Sequence, residues 1–108
     1  MKEYIEEFIN FLSVERGLAD NTILAYTRDL TKYVDYLGAK KVKKIDNVER
    51  DNITDFMFTQ KNQGISTNSI CRGLSAIKMF HRFLVRERLA KNDPTNLVDT
   101  PKLWKRVP

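Results

Sequence analysis

Between Thr67 and Leu89 the apolar residues return every three or four positions for more than 20 residues, the longest regularity in the chain. A strand changes face at every residue, so a run with this spacing can bury one side only as a helix. Ile70, Leu74, Ile77, His81 and Leu84 share one side of that helix, widened by Ala76, Phe80 and Phe83, and form the expected core face. Opposite them lie Asn68, Arg72, Ser75, Met79, Arg82 and Arg86, with Cys71 and Lys78 flanking. Ser66 is placed to cap the start, and Asn92-Asp93-Pro94 to prevent continuation.

The same reading finds three further helices. The first, about residues 2–16, sets Tyr4, Ile5, Phe8, Ile9, Phe11 and Leu12 against Glu3, Glu6 and Glu7, with Gly17 as its exit. A second spans about 20–38, from the polar start Asp20-Asn21-Thr22 through the stripe Ile23, Tyr26, Leu30, Tyr33, Val34 and Leu37 to Gly38, read as its stop. Residues 39–48 are a charged connector that Val42, Ile45 and Val48 can pin to the core. A shorter helix follows at about 50–63, marked by Ile53, Phe56 and Met57, with Phe58 a further candidate, and closed by Gly64. No segment alternates with period two, so the expected fold is all-α, a four-to-five-helix bundle of two helical hairpins. Residues 1–92 form the domain in this reading, and 93–108, rich in prolines and basic residues, form a linker.

Charge is distributed unevenly. Residues 1–65 carry a net −1 and residues 66–108 a net +6, giving +5 for the whole chain. A localised basic surface points first to nucleic acid, then to an anionic membrane surface, with a merely solvated face as the plain alternative. The second helix repeats the polar stripe in shorter form, with Asn21, Ala25, Arg28 and Lys32 opposite its apolar side and Asp29 and Asp35 bordering it. The last helix stands out further, because Arg72, Lys78, Arg82, Arg86 and Arg88 face one acid, Glu87. Long cations reach phosphates and guanine edges, and Asn, Ser and Thr reach phosphates or base edges at shorter range. A helical protein-interaction module without DNA binding is the competing reading.

Other chemistries find little support. One cysteine, Cys71, excludes an internal disulfide and offers no zinc cluster. His81, the only histidine, falls on the apolar face and reads as a packed core residue. Tyr4, Tyr26 and Tyr33 stand at core spacing, with hydroxyls expected to reach the surface. There is no glycine-rich phosphate loop, metal-ligand set, nucleophile-base pair or paired carboxylate, so no catalysis, cofactor or metal is expected of this chain. No membrane span is found, and the charged N-terminus does not resemble a signal peptide, so a cytoplasmic location is expected.

Three segments resemble a known family. Glu15-Arg16-Gly17-Leu18, Asn21-Thr22, Ala25-Tyr26 and Asp29-Leu30 resemble the opening motif of the N-terminal core-binding (SAM-like) domain of tyrosine recombinases and phage integrases. Gly64-Ile65-Ser66, Ser69-Ile70, Arg72 and Leu74-Ser75-Ala76-Ile77-Lys78 resemble its second motif. Asn92-Asp93-Pro94 and Thr100-Pro101-Lys102 resemble the lead into a catalytic domain. The motifs begin within the first few residues, a pattern closer to Xer-type recombinases and simple integrases than to lambda-type integrases with an arm-binding domain.

The resemblance implies a module that closes over one face of double-stranded DNA, with its second and last helices at adjacent major grooves. It implies partner protomers on the recombination site in the full-length protein, and a catalytic tyrosine in a separate C-terminal domain. Carried over by position, Asn21, Thr22, Arg28, Ser66, Thr67, Arg72, Ser75 and Lys78 become the expected DNA-contacting residues; Asn68, Lys32 and Arg82 join them from the helical wheel. Two residues depart from the pattern. Gly73 stands where relatives carry a charged or larger polar side chain, which implies a lost contact and a helix weakened by ~1 kcal/mol relative to alanine. His81 replaces a usual aromatic.

Overall fold

A computed structural model describes residues 1–96 and Val98. Four α-helices follow in order: α1 (Lys2–Val14), α2 (Asp20–Ala39), α3 (Arg50–Asn62) and α4 (Thr67–Arg86), with one turn of 3-10 helix at Ile45–Asn47. There is no strand among the described residues. The expected hairpin pairs, α1 with α2 and α3 with α4, are both present. They are not independent layers, because α2 and α4 each pack against every other helix. Those are the two helices that carry the polar stripes.

Every residue assigned to the core face of α4 is buried, and His81 is among them. Phe8 of α1 meets Phe80 edge-on at 5.7 Å and Phe83 at 5.4 Å, Tyr33 of α2 meets Phe56 of α3 at 5.6 Å and His81 of α4 at 5.8 Å, so ring contacts join all four helices. Ile45 and Val48 are buried and Val42 packs beside them, so the connector is pinned as the apolar spacing requires. Phe58 behaves differently from its neighbours: Ile53, Phe56 and Met57 are buried while Phe58 is 49% exposed.

Helix ends show where local chemistry decides. Gly17 and Gly64 adopt left-handed φ of +59° and +85°, the conformations their exits require. Gly38 is not the stop of α2. The helix runs on to Ala39, and Lys41 takes the left-handed position with φ 65°, closed by Val42 N–H donating to the Leu37 carbonyl at 2.8 Å. Likewise α4 ends at Arg86, earlier than the apolar spacing through residue 89 indicates. Arg88, at φ 60°, turns the chain, and Leu89 N–H donates to the Leu84 carbonyl at 2.9 Å, so Leu89 packs from outside the helix. A buried side chain just past a helix end can keep helical spacing without helical backbone.

Three further expectations change. Tyr33 is fully buried, with its hydroxyl inside the core beside His81, and does not reach the surface. Gly73 is buried at the α2–α4 contact; a Cβ there would stand 3.8 Å from Asp29 Cγ, so the position faces α2 and offers no place for a groove contact. Thr95 and Val98, read as linker, are buried in the body, while Trp104 and the Thr100-Pro101-Lys102 motif lie outside the described residues.

Candidate nucleic-acid interface

The α2 stripe begins one residue inside its helix. Ala19 occupies the cap position in extended conformation without a side-chain cap bond, so Asn21 and Thr22 do not spend their side chains on that end. Ser66 is different. Its hydroxyl accepts from Ser69 N–H at 3.2 Å and lies 3.0 Å from Ser69 Oγ, so its first duty is to start α4. Asn21, Arg28, Lys32, Ser66, Asn68, Arg72, Ser75 and Arg82 are exposed, and Thr22, Thr67 and Lys78 are half-buried. None of the expected contact residues is sealed in the core.

Arg72 is not a free cation. Its Nε donates to Asp29 Oδ2 at 2.9 Å and a terminal nitrogen donates to Oδ1 at 3.0 Å, a two-point clamp between α4 and α2. The hydrogen bonds to Asp29 raise the pKa of Arg72 above its ordinary value. In the sequence Asp29 borders the α2 stripe and belongs to the first motif, but across 43 residues no local spacing reveals its pairing with Arg72. Asp35, the other bordering acid, pairs with Lys2 of α1 at 3.1 Å. Both carboxylates are thus matched by cations, and Arg28, Lys32, Lys78 and Arg82 have no ion-pair partner among the described residues. Arg86, at the end of the α4 stripe, lies over the Phe11 ring at 4.3 Å and pairs with Glu87.

His81 is buried away from these residues, and Cys71 is a half-buried free thiol with no activating histidine or second cysteine beside it in sequence. No group of three His, Cys, Asp or Glu side chains among the described residues could hold a metal, and no described helix is long and apolar enough to cross a membrane. What the two helices present is a set of cations with short polar side chains between them, with the Asp29–Arg72 clamp bridging α2 and α4.

Comparison with known proteins agrees with the sequence motifs. Residues 5–88 match the family model of the phage integrase N-terminal SAM-like domain. Proteins named tyrosine recombinase XerD in Staphylococcus epidermidis and Staphylococcus haemolyticus are each 44% identical over 108 residues, covering all of this chain and 37% of the relative. The protein of that name in Oceanobacillus iheyensis is 44% identical over 110 aligned residues with the same coverage. The chain therefore spans little more than a third of the length of these curated relatives, and no solved structure matches. With a model match covering most of the described helices and relatives aligned from end to end, the chain belongs to the phage integrase N-terminal SAM-like domain family.

Proposed function

We propose that this domain grips duplex DNA for a site-specific tyrosine recombinase, while strand cleavage and rejoining fall to a separate C-terminal domain. The observation that carries the reading is the set of Arg28, Lys32, Lys78 and Arg82, exposed or half-buried and free of ion pairing among the described residues, on two helices clamped to each other. A duplex offers dense phosphates on both sides of a major groove ~12 Å wide, which admits a helix. Arg28, Lys32, Lys78 and Arg82 serve as phosphate contacts, and Asn21, Thr22, Thr67, Asn68 and Ser75 serve at shorter range. Other recombinase protomers on the same site are the further partners. The names of the 44% identical relatives support the recombinase assignment.

The test is binding to a labelled ~30-base-pair duplex across a salt series, with Lys78→Glu and Arg82→Glu beside the parent chain. Each neutralised phosphate contact contributes roughly −0.9 to the slope of log affinity against log salt, so each reversal should weaken binding and flatten that slope by about one unit. Variants that fold and bind as the parent does, or binding indifferent to salt, would instead favour a protein-interaction module.

A further inference from the structure

We infer that Asp29 is a positioning residue for DNA recognition: it holds Arg72 by one edge of the guanidinium so that the other edge stays ordered for a phosphate. The inference rests on the DNA-binding reading above and deepens it. A carboxylate on a surface that approaches phosphates ought to be a defect, since it repels the backbone. Its geometry gives it another role.

Asp29 is nearly covered, with its side chain 11% exposed, whereas the Arg72 side chain is 47% exposed. The pair thus shows solvent its cationic member. A guanidinium has five N–H donors, and the two bonds to Asp29 leave three without a partner in the clamp. The clamp also spans the two stripes, because Asp29 directly follows Arg28 and lies three residues before Lys32 on α2. Gly73, next to Arg72, lies against the same carboxylate: a Cβ there would stand 3.8 Å from Asp29 Cγ, which places this part of α4 directly over Asp29. An arginine already ordered before binding loses less freedom when it meets a phosphate.

The two accounts of Asp29 predict opposite signs. If the carboxylate only adds negative charge, Asp29→Asn tightens duplex binding by removing repulsion. If it positions Arg72, Asp29→Asn weakens binding by about three- to tenfold although the domain has become more positive. In an Arg72→Gln background nothing remains to position, so there Asp29→Asn should tighten binding. Breaking the clamp can reverse sign in stability too, because Arg72→Gln leaves a nearly covered carboxylate unpaired. The affinities are therefore compared at a temperature where the unfolding curves show every variant fully folded, and a reversal that persists there separates positioning from a merely structural role.

The experiment measures fluorescence anisotropy of a labelled ~30-base-pair duplex at several salt concentrations. It compares the parent chain, Asp29→Asn, Arg72→Gln and the double variant, with thermal unfolding of each. Arg72→Lys is a second arm should Asn at 29 prevent folding: charge is kept but the two-point clamp is not, and weaker binding than the parent is expected. Asp29→Asn binding as tightly as the parent or tighter, or Arg72→Lys binding like the parent, would overturn the inference while leaving the DNA-binding reading intact. Loss of all salt-dependent binding in the parent would remove the reading itself and the inference with it.

Discussion

His81 is fully buried, and its Nε2 lies 2.7 Å from the Tyr33 hydroxyl, joining α4 to α2 through the centre of the core. Burial pushes the pKa of the imidazole down to about 4, against a weaker upward pull from the Asp93 carboxylate, and burial pushes that of Tyr33 up. Because the folded pKa of His81 is depressed, its contribution to stability is complete above ~6.5, where the ring is neutral in both states. It is lost as pH falls from there toward 4, by about 3 kcal/mol in all. The ring resonances of His81 should therefore titrate near 4 in the folded chain. A His81→Gln variant, which cannot titrate, should lose less stability than the parent between pH 6.5 and 4.5. Titration of the folded ring above pH 6 would contradict this account. The sequence shows that His81 is a core residue, since it sits on the apolar side of a long helix. It does not show the Tyr33 contact, made across 48 residues, so the hydroxyl looked like a surface group.

At the level of elements, apolar spacing locates each helix to within a few residues, but where the chain turns depends on the backbone at one position. Lys41 and Arg88 take left-handed conformations without being glycine, each closed by the hydrogen bonds a glycine exit would make. That is why Gly38 misleads as a stop. The stripes share this partial legibility: helical spacing finds Arg72, Lys78, Arg82, Arg28 and Lys32, yet only the packing of α2 on α4 separates clamped Arg72 from the unpaired cations. Gly73 gives an element-scale prediction. It is not at a left-handed position, and an added Cβ would meet Asp29 at ordinary contact distances of 3.8 and 3.9 Å. Gly73→Ala should gain about 1 kcal/mol of helix stability. Thermal unfolding should rise by roughly 4–8 °C for a domain of this size. An unfolding temperature at or below that of the parent would mean that α4 needs closer access to Asp29 than a Cβ permits.

At the scale of the molecule, the extent of the folded unit is set by burial past the last helix. After Arg88 turns the chain, Lys91 N–H donates to the Asp46 side chain at 2.8 Å, which ties the exit of α4 to the 3-10 turn before α3. Asp93 accepts from Thr95 N–H at 2.9 Å, and Thr95 and Val98 are both buried. Asp93 and Asn96 line a cavity with Phe8, Leu12, Met79 and Arg82, so this segment runs beside α1 and α4 at the end of the polar stripe. Proline and the loss of periodicity make residue 92 look like a boundary, but a segment without helical spacing can still bury side chains one at a time. A chain ending at 92 should therefore be less stable than one ending at 98. The burial of Val98 alone is worth about 2 kcal/mol, and the Thr95 contacts add to it. The shorter chain should unfold roughly 10 °C or more below the longer one, by calorimetry or circular dichroism. It should also bind duplex more weakly at 25 °C only to the extent that it is unfolded, because the cations on α2 and α4 remain. Equal unfolding temperatures would place the boundary at 92 after all and reduce the packing of Thr95 and Val98 to a contact without energetic weight.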